Sequence, residues 1–172
     1  MKVKKVEIPK DSLINGFLPA NYSDAFSCNF NTAKEITADD IQVVFWTEWP
    51  KWVKRLFKIR NFIVKVVGLE GDRPNDGTIE DCIRNDKKLK DFSVVCRSEN
   101  ETVIKLNDKH LDAYMSVYLS NAEDNQKSVA SITVVDIHNK LGHIYFYLIC
   151  PFHKIVVKGM LKQVIKTINE EP

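Results

Sequence analysis

The second half of the chain constrains the fold most, because it consists of successive strand-like runs separated by short polar turns. Apolar, aromatic and β-branched residues dominate each run, as is typical of β-strands. The runs are FSVVCR (92–97), ETVIKL (101–106), HLDAYMSVYL (110–119), SVASITVVDI (128–137) and GHIYFYLI (142–149). This order predicts an antiparallel meander, in which each strand pairs with the next one along the chain.

The elements before and after these runs predict an α+β fold. YSDAFSCNF at 22–30 suits a first strand. Thr37 stands three residues ahead of Asp40, a spacing typical of a helix start, and a second helix is predicted from residue 51 to Gly68. Pro151 is predicted to start a long amphipathic C-terminal helix. We therefore expect a curved antiparallel sheet that wraps around the C-terminal helix, with two shorter helices after the first strand.

The length and composition predict one globular domain over residues 1–172. An N-terminal arm over about residues 1–20 is polar, and residues 70–91 are predicted to form a polar loop that is either a lid or a disordered excursion. The 25 basic and 23 acidic residues nearly cancel, which argues against nucleic acid as a partner. With neither a signal peptide nor a membrane span in the sequence, a cytoplasmic protein is predicted.

The spacing of cysteines and histidines argues against a metal site. Cys28, Cys82, Cys96 and Cys150 are far apart, which is typical of free thiols in a reducing compartment. No HxH or HExxH motif accompanies them. We therefore expect neither a metal ion nor a cofactor.

Two basic side chains fall on apolar helix faces, where a charge needs a partner. Arg60 lies within the apolar arc that Trp52 begins on the second helix, and its predicted partner is Asp24 or Asp112. A position at the rim, or a role as an anion clamp, would also explain it. His153 lies near the centre of the apolar arc of the last helix, in its predicted first turn, where the helix dipole disfavours imidazolium. It is either a hydrogen-bonded core residue or a ligand contact.

The run at 110–119 separates polar and apolar residues onto two faces of one strand. The polar face carries His110, Asp112, Tyr114, Ser116 and Tyr118. This face is either solvated or lines a cavity, and the sequence leaves both possibilities open. In the second case Asp112 would be a natural partner for Arg60.

Four segments also carry a resemblance to a known family. They are YSDAF (22–26), PKWVKRLFKIRNFIVKVVGL (50–69), DKHLDAYMSV (108–117) and HNKLGHIYFYLICPFHKIVV (138–157). In this order they resemble a bacterial family known as domain of unknown function 2867, itself similar to the SRPBCC, or START-like, helix-grip superfamily. The resemblance implies a helix-grip fold with a cavity between the sheet and the C-terminal helix, which in many members holds an apolar ligand.

The leading functional prediction is therefore binding of a small apolar molecule with an anionic or polar head. The predicted ligand contacts are Arg60, His110, Asp112 and His153 at the polar end, and Trp52, Phe146 and Met160 as the wall. One alternative is a cyclase- or hydrolase-type enzyme that uses His153 or His110 as general acid/base, with Asp112 to orient the histidine and Arg60 as an oxyanion or carboxylate clamp. Another is a non-catalytic interaction module, in which the exposed lysines of the second helix meet an acidic partner.

Overall fold

The structure, a computed structural model, describes residues 2–66, 76–122 and 126–170. Its architecture is α+β. The strands are β1 (Lys4–Lys5), β2 (Tyr22–Phe30), β3 (Phe92–Arg97), β4 (Glu101–Asn107), β5 (Leu111–Asn121) and β6 (Lys127–Ile137). The helices are α1 (Ala38–Thr47), α2 (Lys51–Val66), α3 (Asp76–Asn85) and α4 (Lys140–Glu170), and a short 3-10 helix spans Leu13–Phe17.

All strands form one antiparallel sheet in the order β1-β2-β6-β5-β4-β3. The predicted first strand and the predicted meander from β3 to β6 are confirmed. The long strand β2 closes onto β6, so the start of the chain lies beside its last strand. This pairing sets Asp24 directly opposite Thr133 on the same face of the sheet.

The starts of the two predicted helices are confirmed. The Asp40 backbone N–H donates to the Thr37 hydroxyl at 3.2 Å, and the Thr37 N–H donates to the Asp40 carboxylate at 3.0 Å. This reciprocal capping satisfies two backbone donors that the first helical turn leaves free. α2 begins at Lys51, directly after Pro50. Its predicted end at Gly68 lies outside the described residues.

The prediction of a strand at 142–149 is wrong, because these residues form the first half of α4. Asn139 starts this helix: its side-chain oxygen accepts a hydrogen bond from the Gly142 N–H at 3.0 Å. Pro151, the predicted start, lies inside α4 on its exposed side, where solvent can replace the missing backbone hydrogen bond. His153 is therefore far from the first turn, and the argument from the helix dipole does not apply to it.

The predicted loop at 70–91 contains a helix in its described part. α3 buries Ile79, Cys82 and Ile83 completely, and it packs against α1 and β3. These residues belong to the main core, so this part is neither a lid nor a disordered excursion. Residues 70–75 lie outside the described residues.

The two faces of the sheet have different coverings. One face, here the helix face, packs against the α-helices, and its core includes Phe26, Val117 and Leu161. The other, the arm face, is covered by the N-terminal segment, which buries Ile14 completely. The arm predicted as polar is thus part of the fold.

Candidate functional site

A buried polar cluster lies on the helix face, beneath the middle of α4. Strand alternation places Tyr22 and Asp24 on the same side of β2, facing the helix. The Tyr22 hydroxyl donates a hydrogen bond to Asp24, and His153 Nε2 lies 3.4 Å from an Asp24 carboxylate oxygen. The Asp24 side chain is only 1% exposed, whereas His153 retains 18%. The Asp24 carboxylate therefore fixes the imidazole ring of His153, while part of this side chain remains accessible to solvent.

Tyr22 is held in its neutral form by this environment. Burial, followed by the hydrogen bond to Asp24, raises the pKa of Tyr22 far above its usual value. The Cys150 thiol, one helical turn before His153, adds to the same effect. Tyr22 therefore remains a hydrogen-bond donor to Asp24 at neutral pH.

Thr133 adds an unused hydrogen-bonding group to this cluster. It lies opposite Asp24 in the strand register and is 2% exposed. Its hydroxyl oxygen finds no hydrogen-bond partner in the part of the chain that the structure describes. A buried polar group without a partner is costly, which marks this position as unusual within the core.

Arg60 does not contact either predicted carboxylate. Its Nε and Nη2 donate to the Tyr145 hydroxyl at 2.9 and 2.6 Å, and its Nη1 donates to the Asn61 side chain at 3.0 Å. Tyr145 is 8% exposed, and burial raises its pKa although the Arg60 guanidinium opposes the rise. This bond joins α2 to the start of α4.

Asp112 and His110 lie away from the cluster. Asp112 projects from the arm face, where it contacts Lys105 at 2.7 Å and His138 at 3.6 Å. His110 precedes β5, and its Nδ1 lies 3.1 Å from the Asn139 side-chain oxygen. The predicted pair of Asp112 with Arg60 is therefore wrong, because strand alternation turns Asp112 away from the helices.

The predicted wall residues occupy three different settings. Met160 is 1% exposed and belongs to the main core. Phe146 packs on Tyr22, with 4.9 Å between ring centroids. Trp52 is 39% exposed and contacts α4 at Gly159, where a Cβ atom would come within 2.2 Å of the indole. Gly159 thus permits the close approach of Trp52 to α4.

Trp52 borders an open groove of about 630 Å³ between the start of α2 and the outer face of α4, here the α2–α4 groove. Its lining residues are Pro50, Trp52, Ile155, Lys158, Gly159, Lys162, Gln163 and Lys166. The floor is apolar, three lysines form the rim, and no acidic side chain is among the lining residues. The sequence signal for this groove is the spacing of the lysines by four residues, which places them on one helix face.

α4 has an unusual composition for a helix that covers a sheet. Among the described residues it is the one helix long and apolar enough to cross a membrane, a test that core helices of soluble proteins also pass. Its inner residues, including Val157, Leu161 and Val164, are buried against the rest of the fold. In its first half, α4 packs Tyr145 and Phe146 on the fold and exposes Ile144 and Tyr147, so this half has two apolar sides.

The sheet, its helical cover and the groove define an α+β protein with an open surface site. The model of a family described as "Protein of unknown function (DUF2867)" matches residues 17–160. The chain belongs to this family, as the sequence resemblance predicted. A comparison with curated proteins finds no match.

One solved structure is similar over part of the chain. It is described as "Crystal structure of conserved protein from Geobacillus kaustophilus", with 12% sequence identity and a TM-score of 0.34. The match covers 46% of this chain and 55% of that chain, about half the length of each. The helix-grip assignment stays a prediction.

Proposed function

We propose that the protein binds a small apolar molecule with an anionic head in the α2–α4 groove. The observation that carries this proposal is an apolar floor beside a row of lysines, with no carboxylate in the lining. The sequence predicts such a ligand beneath the C-terminal helix. The groove instead lies on the outer side of α4, and Trp52 is the predicted contact that borders it.

The floor suits an aliphatic or aromatic body. Trp52 and Ile155 are 39% and 58% exposed, so an apolar ligand would remove their surfaces from water. Pro50 and Gly159 complete the lining beside the indole ring. The volume of the groove lies within the range of small-molecule sites.

The rim suits a carboxylate or phosphate head. Lys158, Lys162 and Lys166 lie in one row, where like charges repel and an anion between them relieves the repulsion. Lys158 lies over the Phe26 ring at 5.0 Å, and Lys166 is 3.7 Å from Glu170. Lys162 makes no ion pair within the described residues, which makes it the main anchor for the head.

Calorimetry with dodecanoate, and with dodecanol as its uncharged counterpart, tests this proposal. We expect dodecanoate to bind more tightly, and Lys162→Gln to weaken its binding about tenfold because a charged hydrogen bond is lost. Lys154→Gln is the matched control, since Lys154 is exposed on α4 but does not line the groove. Trp52→Ala should weaken both ligands.

Two results would contradict ligand binding in the groove. One is an affinity for dodecanoate that Lys162→Gln and Lys154→Gln reduce equally. The other is an affinity that Trp52→Ala leaves unchanged, because the indole forms the groove floor.

A cyclase- or hydrolase-type enzyme is the second proposal, and the contact between His153 and the buried Asp24 supports it. A carboxylate that orients an imidazole ring is a common arrangement for general base catalysis. If the cluster acts in this way, hydrolysis of p-nitrophenyl acetate should fall about a hundredfold or more in His153→Gln. His143→Gln, at an exposed position of α4, should keep the wild-type rate. Equal rates in both variants would contradict an enzyme of this kind.

A further inference from the structure

The first half of α4 exposes large apolar side chains on its outer face. They are Ile144 (58% exposed), Tyr147 (82%), Leu148 (47%), Phe152 (52%) and Ile155 (58%), here called the apolar patch. Their spacing by three and four residues places them on one side of the helix. Five large apolar residues together on one exposed helix face indicate an interaction surface, because such residues are normally scattered singly.

The same side of α4 becomes basic in its second half. Lys158 and Lys162 follow Ile155 at spacings of three and four residues, and Lys166 continues the row. These lysines are exposed. The outer face of α4 therefore changes from apolar to positively charged along its length.

α2 extends both parts of this surface. Arg60 contacts Tyr145 near the start of α4, whereas Trp52 contacts Gly159 in its second half, so the two helices run antiparallel. Ile59, 57% exposed, consequently lies at the apolar end. The exposed lysines 51 and 54 lie at the basic end.

The two helices are much more basic than the chain as a whole. By sequence, α2 and α4 contain 11 of the 25 basic residues and one of the 23 acidic residues. The rest of the chain therefore holds 14 basic and 22 acidic residues. The two helices thus carry an excess of ten basic residues in a nearly neutral protein, and their exposed lysines favour one orientation towards a charged partner.

We propose that the outer surface of α2 and α4 docks on a membrane that contains anionic lipids. Large apolar side chains bordered by lysines are typical of helices that lie in a membrane interface. The apolar patch would enter the boundary between headgroups and acyl chains, and the lysines would contact lipid phosphates. α4 would lie along the membrane rather than across it, because its inner face is committed to the core.

A second copy of the chain suits this surface less well. Self-association would bring two positively charged surfaces together, whereas an anionic membrane supplies the opposite charge. A single helix face of five apolar side chains is also modest beside the area that stable dimers bury.

Vesicle flotation tests the proposal. We expect the protein to float with vesicles of phosphatidylcholine and phosphatidylserine, and far less with phosphatidylcholine alone. The double substitution Tyr147→Ser and Phe152→Ser should lower the partition coefficient about tenfold or more, because both side chains are exposed in the free protein. Leu18→Ser with Val95→Ser is the matched control, since both residues are 38% exposed elsewhere on the surface.

The basic end is tested separately. Lys51→Gln with Lys54→Gln should reduce binding to the anionic vesicles about fivefold for each lysine removed. None of the four substituted residues lines the α2–α4 groove. The lysine variant and the Tyr147→Ser, Phe152→Ser variant should therefore both keep the wild-type affinity for dodecanoate. Failure of membrane docking is therefore distinguishable from failure of ligand binding.

Several results would overturn membrane docking. They are the absence of flotation with anionic vesicles, equal flotation with both vesicle types, and flotation that Tyr147→Ser with Phe152→Ser leaves unchanged. A dimer that this variant dissociates, without vesicle binding, would assign the patch to a second copy. Binding to polyglutamate without vesicle binding would assign the basic end to an acidic protein.

Discussion

Glu101 and Asp24 are both buried carboxylates, but they lie on opposite faces of the sheet and contact different kinds of donor. On the arm face, Glu101 accepts hydrogen bonds from the Ser12 hydroxyl at 2.7 Å, the Leu13 N–H at 2.6 Å and the Ser116 hydroxyl. Glu101 is 1% exposed, so these three donors replace the water that it loses on folding. They also tie the N-terminal arm to the sheet.

Asp24 on the helix face is surrounded by groups with other chemistry. Its partners are the Tyr22 phenol and the His153 imidazole, and it lies opposite Thr133, whose hydroxyl has no hydrogen-bond partner among the described residues. An imidazole is a common general base in enzymes, whereas the serine hydroxyls and the backbone N–H at Glu101 act only as hydrogen-bond donors to it. Glu101 therefore holds the N-terminal arm on the sheet, whereas Asp24 holds the histidine on which the enzyme proposal depends.

Truncation of the two carboxylates should separate these roles by stability. We expect Glu101→Ala to lower the free energy of unfolding by about 4 kcal/mol, because it strands three buried donors and leaves a cavity. Asp24→Ala should lower the free energy of unfolding by about 2 kcal/mol, because His153 and Tyr22 are partly exposed and can hydrogen-bond to water instead. Urea unfolding curves measure both values.

Glu99→Ala is the control for this pair, because Glu99 is exposed beside β4 and should contribute less than about 0.5 kcal/mol. Equal losses for Glu101→Ala and Asp24→Ala would remove the distinction between the two carboxylates. A larger loss of stability for Asp24→Ala than for Glu101→Ala would reverse the distinction between the two carboxylates.

Removal of a neighbouring hydroxyl should have opposite effects on the two faces. Ser116→Ala takes a donor from Glu101 and should destabilise the protein by about 1.5 kcal/mol. Thr133→Val keeps the shape of the side chain and removes a buried hydroxyl without a described partner, so it should stabilise the protein by about 1 kcal/mol. Thermal unfolding of the two variants measures whether each is less or more stable than the wild type. A destabilised Thr133→Val would show that the hydroxyl is in use.

Most of the sheet could be predicted from the sequence, because alternation and turn residues identify each strand locally. The failure at 142–149 has a physical cause. Tyr145 and Phe146 face the fold while Ile144 and Tyr147 face outward, so this part of α4 lacks the polar face that identifies a surface helix. The decisive signal was Asn139, which resembled a turn residue but caps the helix.

The candidate site was less predictable because it depends on which elements meet. The helical wheel directed His153 inward, and the structure places it against Asp24. The same reasoning gave Arg60 a carboxylate partner, yet a tyrosine hydroxyl from α4 lies there. Tyr145 was assigned to a strand, so no sequence argument could bring it to Arg60. The groove was missed because its lysines look like an ordinary solvated face.

The last expected effect concerns the pH dependence that Tyr22 adds on the helix face. Its pKa is raised in the folded state, so its contribution to stability is complete below the usual value of about 10 and declines as the pH rises above it. Tyr22→Phe should therefore lose less stability than the wild type between about pH 8 and about pH 11 in urea unfolding. Tyr147→Phe, at a position 82% exposed, should show the wild-type loss. If both variants lose stability like the wild type, burial and the hydrogen bond to Asp24 do not raise the pKa of Tyr22 in the folded protein.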